Sequence, residues 1–281
     1  MAMPAACAAR PFFGNDMPLT ERFDLAPRFD LAQALILEAG ALASSYFQDL
    51  AALTVKSKGP QDVVSQADLN TELLIKSRIA EHFPDDAFLG EETGVTAFAP
   101  GQGIWVVDPI DGTQPFISGL SNWCVSIAFV QDNTVQFGLV YAPERDELFS
   151  GGRVIPATLN GQPVPRHQGK SLRDGITGMG YSARLKPEQF LRPFEGLIRA
   201  GGMFFRDGSG ALNLSYVAAG RLLGYFEPHI NSWDCLGAIA VIEAAGLRVN
   251  DFLAGDGLTK GNPIIAGIPE VYDDLVALSK L

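Results

Sequence analysis

The sequence predicts an α/β fold in which layers of helix pack against sheet. The first half of the chain places two helical patterns before a series of closely spaced short strands, and the second half alternates strands with helices. The first half is therefore expected to form an antiparallel sheet. With 281 residues, 47% of them hydrophobic, the chain is long enough to bury a sizeable core as one compact unit.

The first half of the chain begins with an amphipathic helical pattern. Leu31, Leu35 and Phe47 lie at roughly helical spacing. The polar segment 56–60, which ends in Gly-Pro, predicts a loop after this helix. The predicted elements of this half are helices at 29–50 and 66–82 and strands at 87–89, 104–107, 123–130, 135–141 and 147–149.

The second half is predicted to form a separate lobe. The pair Asn160-Gly161 is typical of a hairpin turn, and the Gly- and Pro-rich stretch 151–169 indicates a boundary. The predicted elements after it are strands at 176–179, 203–205, 222–226 and 264–267 and helices at 187–199, 211–219, 234–244 and the end of the chain. The expected division is a disordered tail at 1–27, an N-terminal lobe at 28–160 and a C-terminal lobe at 161–281.

Charge and cysteine content limit the partners and the compartment. The formal net charge of −11, without a basic cluster, argues against binding to a nucleic acid backbone. No apolar run approaches the roughly 20 residues that a membrane span needs, so no membrane partner is expected. Cys7, Cys124 and Cys235 show no paired spacing, which favours a reducing cytoplasm over a disulfide scaffold.

Carboxylates follow the predicted strands at two points. Glu91 and Glu92 come after the strand at 87–89, and Asp108 ends the next strand, three residues before Asp111. Oxygen ligands that converge at strand ends suit Mg²⁺, which prefers carboxylates and retains waters. Two such ions can align an attacking water with a leaving oxygen, as cleavage of a phosphate ester requires. The pattern therefore indicates a metal site for phosphate chemistry.

Each of these signals has a structural alternative when it is taken alone. Asp-Pro-Ile-Asp-Gly at 108–112 is also a good turn sequence, and Glu91-Glu92 is also typical of an exposed pair. Asp68 and Asp234 each suit a helix N-cap.

A covalent phosphatase mechanism is disfavoured by the spacing of the two aspartates. Haloacid-dehalogenase-type enzymes place the nucleophilic Asp two residues before the second one. Here that frame puts Ile110 at the nucleophile position, because Asp108 and Asp111 are three residues apart. Water activated by metal is therefore favoured over an aspartyl-phosphate.

Together these motifs resemble those of the inositol monophosphatase family. The motifs are Val64-Ser65-Gln66-Ala67-Asp68, Gly90-Glu91-Glu92-Thr93, Trp105-Val106-Val107-Asp108-Pro109-Ile110-Asp111-Gly112-Thr113, and Ser232-Trp233-Asp234 followed by Gly237-Ala238. They occur in the family's order between about residue 29 and the end. The resemblance implies an αβαβα sandwich, with an antiparallel sheet in the N-terminal lobe and a smaller mixed sheet in the C-terminal lobe. It also implies a homodimer and a Mg²⁺-dependent phosphomonoesterase for a small polyol or sugar phosphate.

The resemblance further implies two or three Mg²⁺ ions in each site. The implied ligands are Glu91, Asp108 and the carbonyl of Ile110 for one ion, Asp108, Asp111 and Asp234 for a second, and Glu91 with Asp68 near a weaker third. Glu91 and Thr113 would activate the attacking water, with Thr113 oriented by Asp68. The amides of Gly112 and Thr113 would hold phosphate oxygens at the start of a helix, where Pro115 is well tolerated.

The same resemblance assigns the substrate contacts and leaves the substrate open. Glu227 would accept a hydroxyl group, with an exposed strand end as its structural alternative, and the loop Gly208-Ser209-Gly210-Ala211 would contact the substrate ring. The segment 114–119 resembles the histidinol-phosphate branch of the family, whereas 231–234 resembles the inositol branch. A histidinol-phosphate phosphatase is therefore one alternative. A regulatory binding protein with the same fold is another.

Overall fold

A computed structural model describes residues 19–59, 62–181 and 185–280. The helices are α1 (Leu19–Phe47), α2 (Gln66–His82), α3 (Thr113–Ile117), α4 (Glu188–Arg199), α5 (Gly210–Ala218), α6 (Leu236–Ala244), α7 (Gly257–Lys260) and α8 (Pro269–Leu278). The strands are β1 (Val55–Gly59), β2 (Asp62–Ser65), β3 (Ala87–Gly90), β4 (Gly94–Val95), β5 (Ile104–Asp111), β6 (Cys124–Gln131), β7 (Thr134–Ala142), β8 (Glu147–Gly152), β9 (Ile155–Leu159), β10 (Gln162–Pro163), β11 (Ile176–Met179), β12 (Met203–Phe205), β13 (Gly224–Ile230), β14 (Arg248–Val249) and β15 (Asn262–Gly267).

The first sheet has eight strands in the order β10-β9-β8-β7-β6-β5-β3-β4. Its pairs are antiparallel except for β3 and β5, which run parallel. Helices α1 and α2 cover one face. The core on this face includes Ile36, Ile75 and an aromatic group in which Trp105 lies 5.2 Å from Phe129 and 5.9 Å from Phe137 between ring centroids. Burial of these large side chains fixes the two helices against the sheet.

Helices α5 and α6 form the middle layer, between the two sheets. Residues 236–242 of α6 are all buried, as expected for a helix that is apolar on every side and covered on both. Gly138 on β7 allows close approach, because a Cβ there would lie 2.2 Å from the carbonyl oxygen of Gly237. Among the described residues, no helix combines the length and the apolar content that crossing a bilayer demands.

The second sheet has five strands in the order β12-β11-β13-β15-β14. Strand β11 is parallel to both β12 and β13, whereas β15 is antiparallel to β13 and β14. Helices α4 and α8 pack on the outer face. The order of layers is therefore helix, sheet, helix, sheet, helix. This arrangement confirms the predicted αβαβα sandwich, with its larger, mainly antiparallel sheet and its smaller mixed one.

Helix α2 occupies the predicted range because its two ends are specified locally. Ser65 is the N-cap and forms a capping box with Asp68, whose carboxylate accepts the Ser65 amide at 2.9 Å. Pro84 follows the last turn and excludes a longer helix. The predicted range at 66–82 is confirmed.

Two predictions near the N-terminus are wrong. Helix α1 begins at Leu19, so residues 19–27 are helical and do not belong to a tail. The segment 56–60 was predicted as a loop, but Val55–Gly59 forms β1, which pairs with β2 in an antiparallel hairpin. A strand of polar residues has no apolar pattern by which the sequence could indicate it, because it is stabilised by backbone pairing with its partner strand. Residues 1–18 lie outside the described residues, and the tail stays a prediction there.

The chain leaves the first sheet at Pro163 and enters the second at Ile176. The division into lobes at residue 160 stays a prediction. The middle layer packs against both sheets. The functional residues described below come from both sides of that boundary.

Candidate active site

A cleft of about 1060 Å³ opens where the first sheet meets the middle layer. Its lining includes Glu91 after β3, Asp111 at the end of β5, Thr113 at the start of α3, Ser209 before α5 and Asp234 before α6. Elements from both predicted lobes therefore contribute to it. Concave sites with convergent polar groups are where small ligands bind in proteins.

Three carboxylates converge beside this cleft. Glu91, Asp108 and Asp234 each have an oxygen within 4.8 Å of the others. Asp108 is 1% exposed and lies inside β5, which continues to Asp111 instead of ending at Asp108. Burial, followed by repulsion from neighbouring carboxylates, that of Glu91 first, raises the pKa of Asp108 well above its usual range. A hard divalent cation would relieve this repulsion.

Asp111 is held by the loop and helix that follow β12. The Ser209 hydroxyl and the Ala211 amide both donate to Asp111 Oδ2 at 2.6 Å. Ser209 is also the N-cap of α5, because its side chain accepts the amide of Leu212. Hydrogen bonds of this kind to a charged oxygen stabilise the ionised form, although burial still raises the pKa of Asp111.

The Ser209 side chain, which was predicted to contact the substrate, forms a hydrogen bond to Asp111. Its hydroxyl is buried and directed at Asp111. Gly208 adopts a φ of 95° and lines the cleft beside it. A direct contact of Gly208 or Ser209 with a substrate stays a prediction.

Asp68 and Thr113 are joined by a hydrogen bond across two elements. The Thr113 hydroxyl lies 3.1 Å from Asp68 Oδ1 and 3.1 Å from the carbonyl oxygen of Ile110, and it donates to one at a time. Asp68 Oδ2 accepts the Ser65 hydroxyl at 2.5 Å. Asp68 therefore completes the capping box of α2, and it can also accept the Thr113 hydroxyl. Burial is the largest cause of a raised Asp68 pKa.

Gly112 directs the chain from β5 into α3. It has a φ of 95°, and a Cβ there would lie 2.7 Å from the carbonyl oxygen of Asn122. A side chain is therefore excluded on both counts. Pro115 lies in the first turns of α3, where a proline is tolerated. Gly112 and Thr113 both line the cleft, and phosphate binding by their amides stays a prediction.

Glu72 is a fully buried carboxylate one helical turn after Asp68 that was not among the predicted site residues. Glu72 Oε2 accepts the Glu92 amide at 2.8 Å, and Oε1 accepts the Thr93 amide at 2.7 Å. It therefore fixes the loop that carries Glu91. Its spacing could have indicated this role, because residues four apart share one helix face and Glu72 lies on the buried face of α2 with Asp68.

Glu227 is buried within β13, not exposed at a strand end. Its Oε2 accepts the Tyr225 hydroxyl at 2.6 Å, and it lines the cleft. Burial, with a smaller contribution from Asp234, raises the pKa of Glu227 to about 7. A carboxylate in this position can accept a hydrogen bond from a hydroxyl group within the cleft.

Glu227→Gln is expected to flatten the pH dependence of stability. The folded pKa of about 7 lies above the ordinary glutamate pKa of 4.5, so ionisation of Glu227 opposes folding as the pH rises between these values. Buried Asp68, Asp108 and Asp111 also destabilise both proteins as the pH rises, so the loss should be smaller in the variant than in the wild type, by up to about 3 kcal/mol. Urea unfolding in EDTA at about pH 5 and about pH 8 measures the difference. Equal losses in both proteins would contradict this assignment.

Comparison with known proteins identifies the family. A sequence model described as the inositol monophosphatase family matches residues 24–278. The chain belongs to this family. The match covers both sheets and all four acidic residues Glu91, Asp108, Asp111 and Asp234.

Relatives with curated names fall into two groups within the inositol monophosphatase family. The chain is 32% identical over 253 residues to a protein of Haemophilus influenzae named Nus factor SuhB, covering 89% of this chain and 94% of that one. It is 33% identical over 233 residues to an inositol-1-monophosphatase of Mesorhizobium japonicum, covering 82% and 88%.

Solved structures of the family share the fold. The extragenic suppressor protein suhB of Bartonella henselae has a TM-score of 0.84 at 29% identity, with 91% of this chain and 99% of that chain covered. An IMPase of Thermotoga maritima has a TM-score of 0.78 at 27% identity, with 90% and 97% covered.

The residues of this chain fit the metal dependence of the inositol monophosphatase family. The family typically uses Mg²⁺, and the cluster at Glu91, Asp108 and Asp234 offers oxygen atoms alone. Their mutual distances, within 4.8 Å, are compatible with ligands of one hard cation at roughly 2.0–2.6 Å each.

Proposed function

We propose that the chain is a Mg²⁺-dependent phosphomonoesterase that hydrolyses a small polyol or sugar-type phosphate. The observation that carries this proposal is the convergence of Glu91, Asp108 and Asp234 at a cleft large enough for a small metabolite. Membership of the inositol monophosphatase family supports it independently.

The proposed metal ligands are two sets of oxygen atoms that share one carboxylate. Glu91, Asp108 and the Ile110 carbonyl would hold one Mg²⁺, and Asp108, Asp111 and Asp234 a second. A weaker third ion would lie near Glu91 and Asp68. Bound Mg²⁺ supplies a Lewis acid that neutralises phosphate charge and makes water a better nucleophile.

Glu91 and Thr113 are the proposed groups for the attacking water. The hydroxyl proton of Thr113 is directed at Asp68 or the Ile110 carbonyl, so its lone pairs are available to accept a hydrogen bond from water. Glu91 would then take the proton of that water as a general base. The chemistry requires no covalent enzyme intermediate.

The amides of Gly112 and Thr113 are proposed to hold phosphate oxygens at the start of α3. Glu227 would accept a substrate hydroxyl, and the loop at Gly208 and Ser209 would flank the substrate. These roles are consistent with the position of all five residues on the cleft lining.

A substrate panel tests this function. Phosphate release is measured in Mg²⁺ from inositol 1-phosphate, histidinol phosphate, glycerol 2-phosphate, 3′-phosphoadenosine 5′-phosphate and fructose 1,6-bisphosphate. We expect release from at least one monoester, its loss in excess EDTA and its return when Mg²⁺ is restored. Full activity in excess EDTA would contradict the metal mechanism. A preference for histidinol phosphate would select the histidinol-phosphate alternative.

A regulatory binding protein is the second candidate. The relatives named Nus factor SuhB, at 32–33% identity, are the observation that favours it. An acidic cluster beside a cleft favours catalysis, because binding alone does not require three converging carboxylates. Absence of release from every panel member, in a folded and metal-loaded protein, would favour the regulatory alternative.

We also propose a homodimer in the cytoplasm. The cytoplasmic assignment is supported by Cys124 and Cys235, which are both free and buried. The homodimer is proposed from the family resemblance, and light scattering on the protein used for the panel measures its mass.

A further inference from the structure

The cleft is larger than a polyol phosphate requires. Its volume of about 1060 Å³ slightly exceeds that of pockets that enclose ligands of drug size, roughly 300–1000 Å³. The polar part of the lining includes Glu91, Asp234 and Glu227, together with Arg206 and His229. The remaining space is available to a part of the substrate that the phosphate chemistry does not involve.

One wall of this space is apolar and accessible. It consists of Leu120, Tyr181, Pro187, Phe190 and Leu191, which we call the apolar wall. Leu120 is 55% exposed and Leu191 is 54% exposed. Single exposed apolar residues are common on protein surfaces and need no explanation. A group of five, contributed by three separate segments to one cleft, instead indicates a binding surface.

The apolar wall is supported from behind by packed aromatic rings. Tyr181 meets Phe190 at 5.5 Å between ring centroids, Phe190 stacks on Phe194 at 5.7 Å, and Phe194 meets Phe204 at 4.9 Å. On the other side, the Leu120 amide donates to the Pro115 carbonyl at 2.9 Å, which fixes its turn after α3. These contacts hold the wall in place without a ligand.

We propose that the substrate is a phosphate monoester whose alcohol carries an uncharged apolar group, such as an aromatic ring or a short hydrocarbon chain, that packs on the apolar wall. Its hydroxyl-bearing part faces Glu227. This inference rests on the proposed phosphatase function and adds the class of alcohol. Burial of a ring on the wall predicts a gain of about 10- to 100-fold in kcat/KM over a substrate that lacks it.

The test compares a propanediol monophosphate with its phenyl-substituted analogue. Both keep the same ester carbon and a neighbouring hydroxyl, so the leaving alcohols differ chiefly in the ring. We expect wild type to prefer the phenyl analogue by about 10- to 100-fold in kcat/KM, mainly through KM. Leu191→Ser and Leu120→Ser should each reduce this preference by about threefold to tenfold. Both side chains are more than half exposed, so folding should tolerate the changes.

Ile198→Ser is the matched control. Ile198 lies seven residues after Leu191 on the same helix, is 47% exposed and is not part of the cleft lining. The preference should survive this change. Equal preferences in the Leu191 and Ile198 variants would overturn the proposal, as would a wild-type ratio near one.

Two further outcomes separate this inference from the function on which it rests. Hydrolysis of both esters at equal rates would retain the phosphatase and remove the apolar subsite. If Leu191→Ser in that case also converted a dimer to a monomer by light scattering, the wall would belong to an interface and the proposal would fail. Hydrolysis of neither ester nor any panel member would instead overturn the phosphatase itself.

Discussion

Asp108→Asn is expected to reduce phosphate release by at least about a thousandfold. Asp108 is the carboxylate that both proposed metal sets share, and it is almost fully buried. An amide offers one neutral oxygen where two cations need a bridging anion. The assay is phosphate release in saturating Mg²⁺ with the preferred panel substrate.

The fold should survive this change. The Asn oxygen can still accept the Ile110 amide, which lies 2.9 Å from Asp108 Oδ1. Thermal melting in EDTA should therefore show a midpoint no lower than that of the wild type. Asp85→Asn, an exposed aspartate outside the cleft, should leave activity unchanged. Substantial activity in a folded Asp108 variant would exclude the shared-ligand mechanism.

Elements with complete local signals were predicted to the residue. Helix α2 has its cap at Ser65 and its stop at Pro84, and strand β12 is a short apolar run that follows Gly201-Gly202. Capping and chain breaks act within a few residues, so one sequence contains the information. The hairpin of β1 and β2 is different, because its strands are specified by each other and not by an apolar pattern.

The sequence predicted the carboxylates of the acidic site but not the residues that hold them by hydrogen bonds. Glu91, Asp108 and Asp234 were named through motifs that resemble those of a known family, and the structure brings their carboxylates together. The hydrogen bond from Ser209 to Asp111 joins residues 98 positions apart in the sequence. No local pattern reveals such a pairing, because it arises when the middle layer packs on the first sheet.

Glu72 illustrates a support that local reasoning could have reached. An acidic residue one turn after Asp68 on a helix face that is otherwise buried conflicts with the usual exposure of Glu. A buried carboxylate requires hydrogen-bond donors, and the amides of the loop after β3 are nearby candidates. The sequence contains the conflict, and only the structure supplies the partners, Glu92 and Thr93.

Glu72→Gln is therefore expected to weaken both the fold and metal activation. A Gln side chain can accept a hydrogen bond from one of the two backbone amides, but its NH₂ group then faces the other amide. That buried N–H donor is left without an acceptor. The expected loss is about 1–3 kcal/mol in the free energy of unfolding. The loop that carries Glu91 would be less well ordered, so the Mg²⁺ concentration for half-maximal activity should rise about tenfold or more.

Two measurements distinguish a positioning role of Glu72 from a loss of stability alone: the Mg²⁺ concentration for half-maximal activity, and kcat at saturating Mg²⁺. If Glu72 acts by placing Glu91, saturating Mg²⁺ should restore most of kcat, because binding of the ion compensates for the cost of ordering the loop. Glu81→Gln, an exposed position on the same helix, should change neither stability nor Mg²⁺ response. A variant at Glu72 that loses stability but keeps the wild-type Mg²⁺ requirement would assign this carboxylate to the fold alone. A shift in the Mg²⁺ requirement that saturating Mg²⁺ reverses would connect the buried face of α2 to the metal site.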